Sequence, residues 1–283
     1  MVIRWDFLLR KVYFTVRILI TSGHLENFSG SKQWAYTVAM FLNGLHDVTV
    51  TSHRCGQMAW KMEEAGLRVV PINDLIERGE RFELGIISQI QTADVLRHNL
   101  CDRSVYVSHG LGNSDKPLWD CDRVVAISEE VAKKWGIKEV VYNPINTERY
   151  WAPLNVLYIS NHGGLGKMLD EVCNELGYNY RRISTVWEVE AEIAWADVVV
   201  SVGRGVLEAM SCGKRVIVAD YRRYNGEPLA DSAYNREFNC SGRQDRIAVD
   251  KKWLRKMILG NRTTILKYHR VDDICRKLLE FPE

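Results

Sequence analysis

Short, very apolar runs alternate along the chain with longer segments whose apolar residues return every three or four positions. The first pattern predicts buried strands and the second amphipathic helices. Residues 17–22 (RILITS) read as the first strand, followed by a polar, glycine-containing loop over 23–31. Trp34, Val38, Phe41, Leu42 and Leu45 then recur at helical spacing, with Gly44 placed where a left-handed residue would close the helix. Further strands are predicted at 48–51, 68–72, 84–90, 104–108, 123–127 and 140–142. Between them lie a helix at 57–65 closed by Gly66 and another at 129–135, with Ser128 as its cap and two glutamates in its first turn.

Residues 143–153 (NPINTERYWAP) interrupt the alternation with two prolines and predict an interdomain hinge. A second block then starts afresh. Its predicted strands are 155–160, 180–183, 197–202 and 216–219; its helices are 165–176 ended by Gly177, 188–195, and 205–212 ended by Gly213, with a basic helical tail from Val249. Strand and helix in strict turn predict an α/β fold with parallel sheets, divided into domains 1–150 and 151–283. In open α/β sheets ligands bind outside the carboxyl ends of the strands. That rule singles out the loops 23–31, 108–112, 160–167 and 202–208.

Composition narrows the function classes. With 283 residues, 46% hydrophobic and 26% charged, the chain is an ordinary globular protein rather than a disordered or fibrous one. A net charge of +2 gives no ground for a nucleic-acid partner, and no run of about 18 apolar residues predicts a membrane span. The seven cysteines are odd in number and form no C-x-x-C pair, so neither a disulfide framework nor a zinc site is expected. Buried thiols in a reducing, cytoplasmic setting are the expectation. The glycosylation tripeptides at Asn27, Asn239 and Asn261 matter only in a secreted chain. Residues 1–14 are apolar with Arg4, Arg10 and Lys11 interspersed and lack a small-residue cleavage site. They read as an amphipathic surface helix, with peripheral membrane contact as one outcome, or as an extension packed on the first domain.

The most informative stretch is 197–220, DVVVSVGRGVLEAMSCGKRVIVAD. A buried strand runs into Gly203-Arg204-Gly205 and straight into a helix bearing Glu208. Unpaired N–H groups at a helix start and the helix dipole favour an anion, and glycines let it approach the backbone. Arg204 adds a permanently charged, bidentate donor for a diphosphate, and Glu208 can accept from paired ribose hydroxyls. A plain strand–turn–helix with a capping glutamate fits the same spacing.

The segment resembles the donor-binding motif of retaining GT-B glycosyltransferases of the nucleotide-sugar-dependent family four, roughly E-G-x-G-x-x-x-x-E-A-M-x-x-G-x-P-V-I. Glu208-Ala209-Met210, Gly213 and Val216-Ile217 match it. The similarity extends over nearly the whole chain. Residues 23–50 resemble the family's opening strand, glycine loop and helix; Ser108-His109-Gly110 its H-G or H-S; DRVVAIS (122–128) its A-D-x-V-x-x-x-S; and VYNPINTERY (141–150) its N-x-x-D-x-x-x-F. The family's first glutamate would fall at Val200, so the sugar is left open, and the chain follows the subset that carries G-R-x-x-x-E. The second-domain arginine, due around 160–162, is missing; Lys167 is its partner lysine, and Arg204 is expected to replace it.

The resemblance implies two Rossmann-like domains facing a cleft and transfer of a sugar, with retention, from a nucleotide diphosphate sugar (UDP- or GDP-linked) to an acceptor hydroxyl. It implies a hexosyltransferase-type enzyme with no obligatory cofactor and no metal, because dipole, amides and basic side chains stabilise the leaving diphosphate. His109, Arg204 and Glu208 are the implied catalytic residues. Gly30, Ser31, Lys167, Thr185, Val186, Gly203, Arg204, Gly205, Val206 and Glu208 are the implied donor contacts. For Gly30-Ser31 the bland alternative is ordinary capping, and for His109 a satisfied structural histidine. Trp34 and Trp195 are expected in the core, while Trp119 and Trp151 fall in loops. The tail cations Lys251, Lys252, Arg255, Lys256, Arg262, Lys267 and Arg270, with Arg222-Arg223, read as a solvated helix face or as a contact for anionic lipid or an acidic acceptor. The partners expected are therefore a nucleotide sugar and an unidentified acceptor, glycan or lipid-linked, rather than nucleic acid. Three other readings stand beside this one: a DNA- or lipid-modifying transferase of the same fold, a GT-B epimerase or phosphorylase, and a nucleotide-sugar-binding module without catalysis.

Overall fold

A computed structural model describes residues 15–150, 152–161, 163–184, 188–219, 224–226 and 249–281. The stretch 1–14, Trp151, His162, Thr185, Val186, Arg222, Arg223, Asn239 and Cys240 lie outside the described residues. The chain divides into two compact units, Met1–Arg149 with Ile265–Glu283, and Tyr150–Thr264.

In unit 1 the elements are β1 (Arg17–Thr21), α1 (Gly30–Asn43), β2 (Asp47–Ser52), α2 (Gln57–Glu64), β3 (Arg68–Pro71), α3 (Ile72–Glu77), β4 (Phe82–Ser88), α4 (Asp94–Arg97), β5 (Cys101–Ser108), β6 (Arg123–Ala126), α5 (Glu129–Trp135) and β7 (Glu139–Val140). Unit 2 holds β8 (Asn155–Ile159), α6 (Gly166–Leu176), β9 (Asn179–Ile183), α7 (Glu190–Trp195), β10 (Val198–Ser201), α8 (Arg204–Ser211), β11 (Arg215–Ala219), β12 (Tyr224–Gly226) and α9 (Lys251–Leu259). Helix α10 (Arg262–Tyr268) carries the chain back to unit 1, where α11 (Val271–Leu279) lies.

The seven strands of unit 1 are ordered β3-β2-β1-β4-β5-β6-β7 and are all parallel. Helices cover both faces of such a sheet, so its strands read as continuous apolar runs. In β1 the pleat sends Ile18 and Ile20 into one core and Leu19 into the other, all fully buried. Helix α1 turns Trp34, Ala35, Val38, Ala39 and Leu42 onto the first of these cores, and α11 adds Ile274, Cys275 and Leu278 to it. Unit 2 has the order β12-β11-β10-β8-β9, parallel except for the β11–β12 pair. Leu157, Val199, Val206, Ala209 and Val218 form its core.

Most predicted elements are present, with informative differences. Gly44 is right-handed (φ −72°), so α1 ends without the left-handed closure expected of it. Strand β3 stops at Pro71, which has no N–H to continue a ladder, and Ile72 opens α3. Ile90 belongs to a 3₁₀ turn rather than to β4. Helices α3 and α4 have 6 and 4 residues, too few to show a helical period. As expected, the Ser128 hydroxyl caps α5 by accepting the Val131 N–H, and Gly177 and Gly213 are left-handed (φ 67° and 66°).

Two other expectations change. Cys121, Cys173 and Cys275 are buried thiols, but Cys55 and Cys212 are exposed and Cys101 is half-buried. Much of the tail's positive charge is spent inside unit 2, because α9 lies along the acidic side of α6. Lys251 pairs with Glu171 (2.5 Å) and Arg255 with Glu175. Arg262 donates to the Ala152 carbonyl (2.8 Å) and the Tyr178 hydroxyl, and in unit 1 Arg270 pairs with Asp272 (2.6 Å). Those four cations thus have partners within the fold, although Lys251, Arg255 and Arg270 are each about half exposed. Among the described residues no helix is long and apolar enough to cross a membrane.

Candidate functional site

A doubly wound sheet has a crevice where the chain, having run outward on one side, returns to build the other. In unit 2 that point lies between β8 and β10, since β9 flanks β8 on one side and β11 flanks β10 on the other. The residues leaving these strands are Ser160 and Val202-Gly203, so the Gly203-Arg204-Gly205 turn stands at the crevice. Gly203 has φ 63° and ψ −129°, a conformation open in practice only to glycine. It turns the chain from β10 directly into α8, whose start carries no side-chain cap. A Cβ on Gly205 would lie 2.4 Å from Ser201 Oγ, which is itself fixed by donating to the Ile159 carbonyl (3.0 Å). Gly205 therefore lets α8 close tightly on β10 and β8.

Arg204 and Glu208 are brought together, but as partners of each other: Nε and Oε1 are 2.6 Å apart, one helical turn along α8. Arg204 is 89% exposed, so this pair is screened by water and readily exchanged for another anion. Val206 is fully buried in the unit 2 core, and its N–H donates to the Gly203 carbonyl (3.1 Å). Its side chain faces packing partners.

Lys167 is the second residue of α6 and is exposed at the carboxyl edge of β8. Beside it stands a residue not foreseen from the sequence. Arg182 leaves the end of β9 and points its Nη2 to the Ser160 carbonyl (3.4 Å). Its stem packs where a Cβ on Gly166 would come within 3.2 Å. Arg181, one residue earlier, is paired with Glu192 and stacked on Trp195, whereas Arg182 has no acidic partner among the described residues. Thus Arg182, from a different strand, occupies the neighbourhood in which an arginine was due at 160–162. Only the sheet order connects the two positions, so no local sequence signal could have found it. Among the described residues no group of three or more His, Cys, Asp and Glu is arranged to hold a metal ion.

In unit 1, Gly30 and Ser31 open α1 without a side-chain cap from Ser29, and a Cβ on Gly30 would meet nothing within 4 Å. Packing does not demand glycine there. His109 follows β5 on the face that carries Val105 and Val107, and its ring meets the buried Trp34 edge-on at 4.9 Å. His109 is partly exposed as a residue, but its Nε2 is enclosed and has no hydrogen-bond partner. Burial pushes its pKa down to about 4, so the imidazole is neutral at pH 7.

This has a measurable consequence for stability. In the unfolded chain a histidine takes its proton near pH 6.5, before the native His109 does. The unfolded state then binds more protons, so stability falls as pH drops from about 6.5 towards 4, by at most about 1.4 kcal/mol per pH unit. Urea unfolding from pH 7 to 4.5 should show a smaller slope in His109→Gln than in the wild type. Identical slopes would contradict the enclosed, neutral ring.

Each unit is thus a doubly wound parallel α/β domain, and the polar and basic candidates gather at the carboxyl edges of the two sheets. No protein-family model matches the chain, and no curated protein matches it. Among solved structures it is similar to HepE of Anabaena in complex with UDP and glucose, at 12% identity over 93% of this chain and 98% of that one, with a TM-score of 0.44. It is also similar to a glycosyltransferase from Rickettsia africae (12% identity, 94% and 97% of the chains, TM-score 0.44) and to the lipopolysaccharide outer core galactosyltransferase WaaB in its apo form (14%, 93% and 97%, TM-score 0.41).

Proposed function

We propose that this protein is a glycosyltransferase of GT-B type that takes a nucleotide diphosphate sugar as donor and transfers the sugar, with retention and without a metal, to an acceptor hydroxyl. The observation that carries the reading is the Gly203-Arg204-Gly205 turn, standing at the β8/β10 crevice and opening α8 with no side-chain cap. Three cationic side chains, Arg204, Lys167 and Arg182, belong to that same edge. Such an edge is suited to a diphosphate: amides and dipole from the helix start, and charge from the side chains.

On this reading the leaving nucleoside diphosphate gathers negative charge as the sugar–oxygen bond breaks, and prearranged donors stabilise it. Arg204 exchanges Glu208 for the phosphates, which frees the Glu208 carboxylate for ribose hydroxyls. His109, which the family resemblance places beside the donor sugar, serves there as a neutral hydrogen-bonding imidazole rather than as a cation. Retention follows from the family resemblance, in which positioning and leaving-group stabilisation replace an enzymic nucleophile.

Arg204→Ala is expected to weaken binding of UDP or GDP by about tenfold or more, as loss of a charge-assisted contact should, with Arg204→Lys between it and the wild type. Isothermal titration measures this directly. Unchanged affinity in Arg204→Ala would reject the assigned role.

A further inference from the structure

The backbone on either side of His109 is pinned. The Ser108 carbonyl accepts the Ile127 N–H (3.2 Å), and the Ser108 hydroxyl donates to the Asp115 carbonyl (2.7 Å). On the other side the Gly110 carbonyl accepts the indole N–H of Trp135 (2.8 Å). The imidazole itself makes no hydrogen bond among the described residues. Its ring is held by Trp34 of α1, which is only 4% exposed and stands perpendicular to it, with centroids 4.9 Å apart. The two ring nitrogens differ in consequence. Nε2 is enclosed without a partner, so Nδ1 is the end left to meet another molecule.

Trp34 is an unfavourable way to fill its place if packing is all it does. Its own Nε1 is enclosed with no acceptor, and a buried donor left unpaired destabilises the fold. Leucine or phenylalanine would complete the surrounding cluster of Ile20, Ala35, Val38, Val105 and Val107 with no polar atom at all. The two orphaned nitrogens, Trp34 Nε1 and His109 Nε2, belong to one ring contact, and such departures from packing rules gather where a fold serves function. Titratable groups on the adjoining segments are Lys32, engaged by Asn27; His24, whose Nδ1 is enclosed; Asp115, beside Gly110 and accepting from Ser114 (3.3 Å); and exposed Lys116. None of them contributes to the low pKa of His109, which burial alone produces.

We propose that Trp34 is a positioning residue, whose indole encloses the Nε2 end of His109 and leaves Nδ1 as the nitrogen that meets the donor sugar. The sugar contact rests on the transferase reading above; the ring contact does not. With the indole gone, water reaches Nε2, the charged imidazole is hydrated, and the ring takes a proton at higher pH. A protonated ring has no lone pair on Nδ1 and can no longer accept from a sugar hydroxyl.

The test follows the His109 ring by NMR titration of the full chain labelled in histidine, with His109→Gln identifying its signal. Trp34→Leu removes the wall and Trp34→Phe keeps an aromatic one. The wild-type midpoint is expected near 4, well below the usual value of about 6.5. It should rise by about one pH unit or more in Trp34→Leu and by less in Trp34→Phe. In Trp34→Leu the acid limb of UDP or GDP release from a panel of UDP- and GDP-hexoses should move to higher pH with the ring's midpoint, while the melting shift with UDP or GDP stays as in the wild type. A wild-type midpoint near the usual value, an unmoved midpoint in Trp34→Leu, or an acid limb that stays in place while the midpoint moves would each overturn the proposal. The first of these outcomes needs no variant, so it decides even where Trp34→Leu fails to fold. A midpoint that moves as expected in a chain showing neither nucleotide release nor a nucleotide melting shift would uphold the hold of Trp34 on His109 and overturn the donor reading.

Discussion

Arg123→Ala is expected to destabilise unit 1 by about 2–4 kcal/mol. Arg123 leaves β6 with only 8% of its side chain exposed, yet it carries a full charge. Its guanidinium is satisfied on every side: Nε donates to Glu139 Oε2 (2.9 Å), Nη2 to the other carboxylate oxygen, and Nη1 to the Lys277 and Glu280 carbonyls (2.6 and 2.7 Å). Those carbonyls end α11, so one side chain joins β6, β7 and the C-terminal helix and offsets the negative end of that helix's dipole. Removing it leaves two carbonyls and a half-exposed carboxylate without their donor. Urea unfolding followed by hydrogen exchange in α11 measures the effect. Arg123→Lys should recover only part of it, because an ammonium cannot reproduce the planar fork. A loss below about 1 kcal/mol would contradict this account of how α11 is anchored.

Gly205→Ala should be the second large loss, about 1–3 kcal/mol, through overpacking at the start of α8. The added Cβ would lie 2.4 Å from Ser201 Oγ, and moving that oxygen breaks its bond to the Ile159 carbonyl. The ordinary preference of helices for alanine over glycine works in the opposite direction, so a net loss can come only from the contact. Ser201→Ala removes the oxygen, and the remaining Cβ–Cβ distance of 3.4 Å is tolerable. The double variant is therefore expected to be more stable than Gly205→Ala alone, a sign that a thermodynamic cycle reads directly. A Gly205→Ala variant as stable as the wild type would mean that α8 is not seated against β10 in this way.

The alternation of apolar runs with helical periods was enough to predict the parallel strands of both sheets, because strands buried on two faces leave little ambiguity in composition, but not the antiparallel edge strand β12, whose three residues (YNG) form no apolar run. The four loops it singled out do lie at carboxyl edges, and Gly203-Arg204-Gly205 stands at a switch point. What the sequence hid was mostly a matter of neighbours. Arg182 and Ser160 come from separate strands, and Trp34 looks like an ordinary core residue until its contact with His109 is seen. The tail illustrates the reverse. Its cations read as a solvated helix face or a contact for anionic partners, but Glu171 and Glu175, some 80 residues earlier, pair with Lys251 and Arg255. Short elements such as α3 and α4 were illegible because a single turn has no period.

The central claim is that the edge of unit 2 around Gly203 grips a nucleoside diphosphate, and a melting experiment tests it most directly. A ligand that binds only the folded state stabilises it by about 2.7 kcal/mol at a hundred times its Kd. UDP or GDP, with or without EDTA, is predicted to raise the melting temperature of the wild type by several degrees, while uridine and guanosine leave it unchanged. No shift with either diphosphate, or an equal shift with the bare nucleosides, would contradict the account.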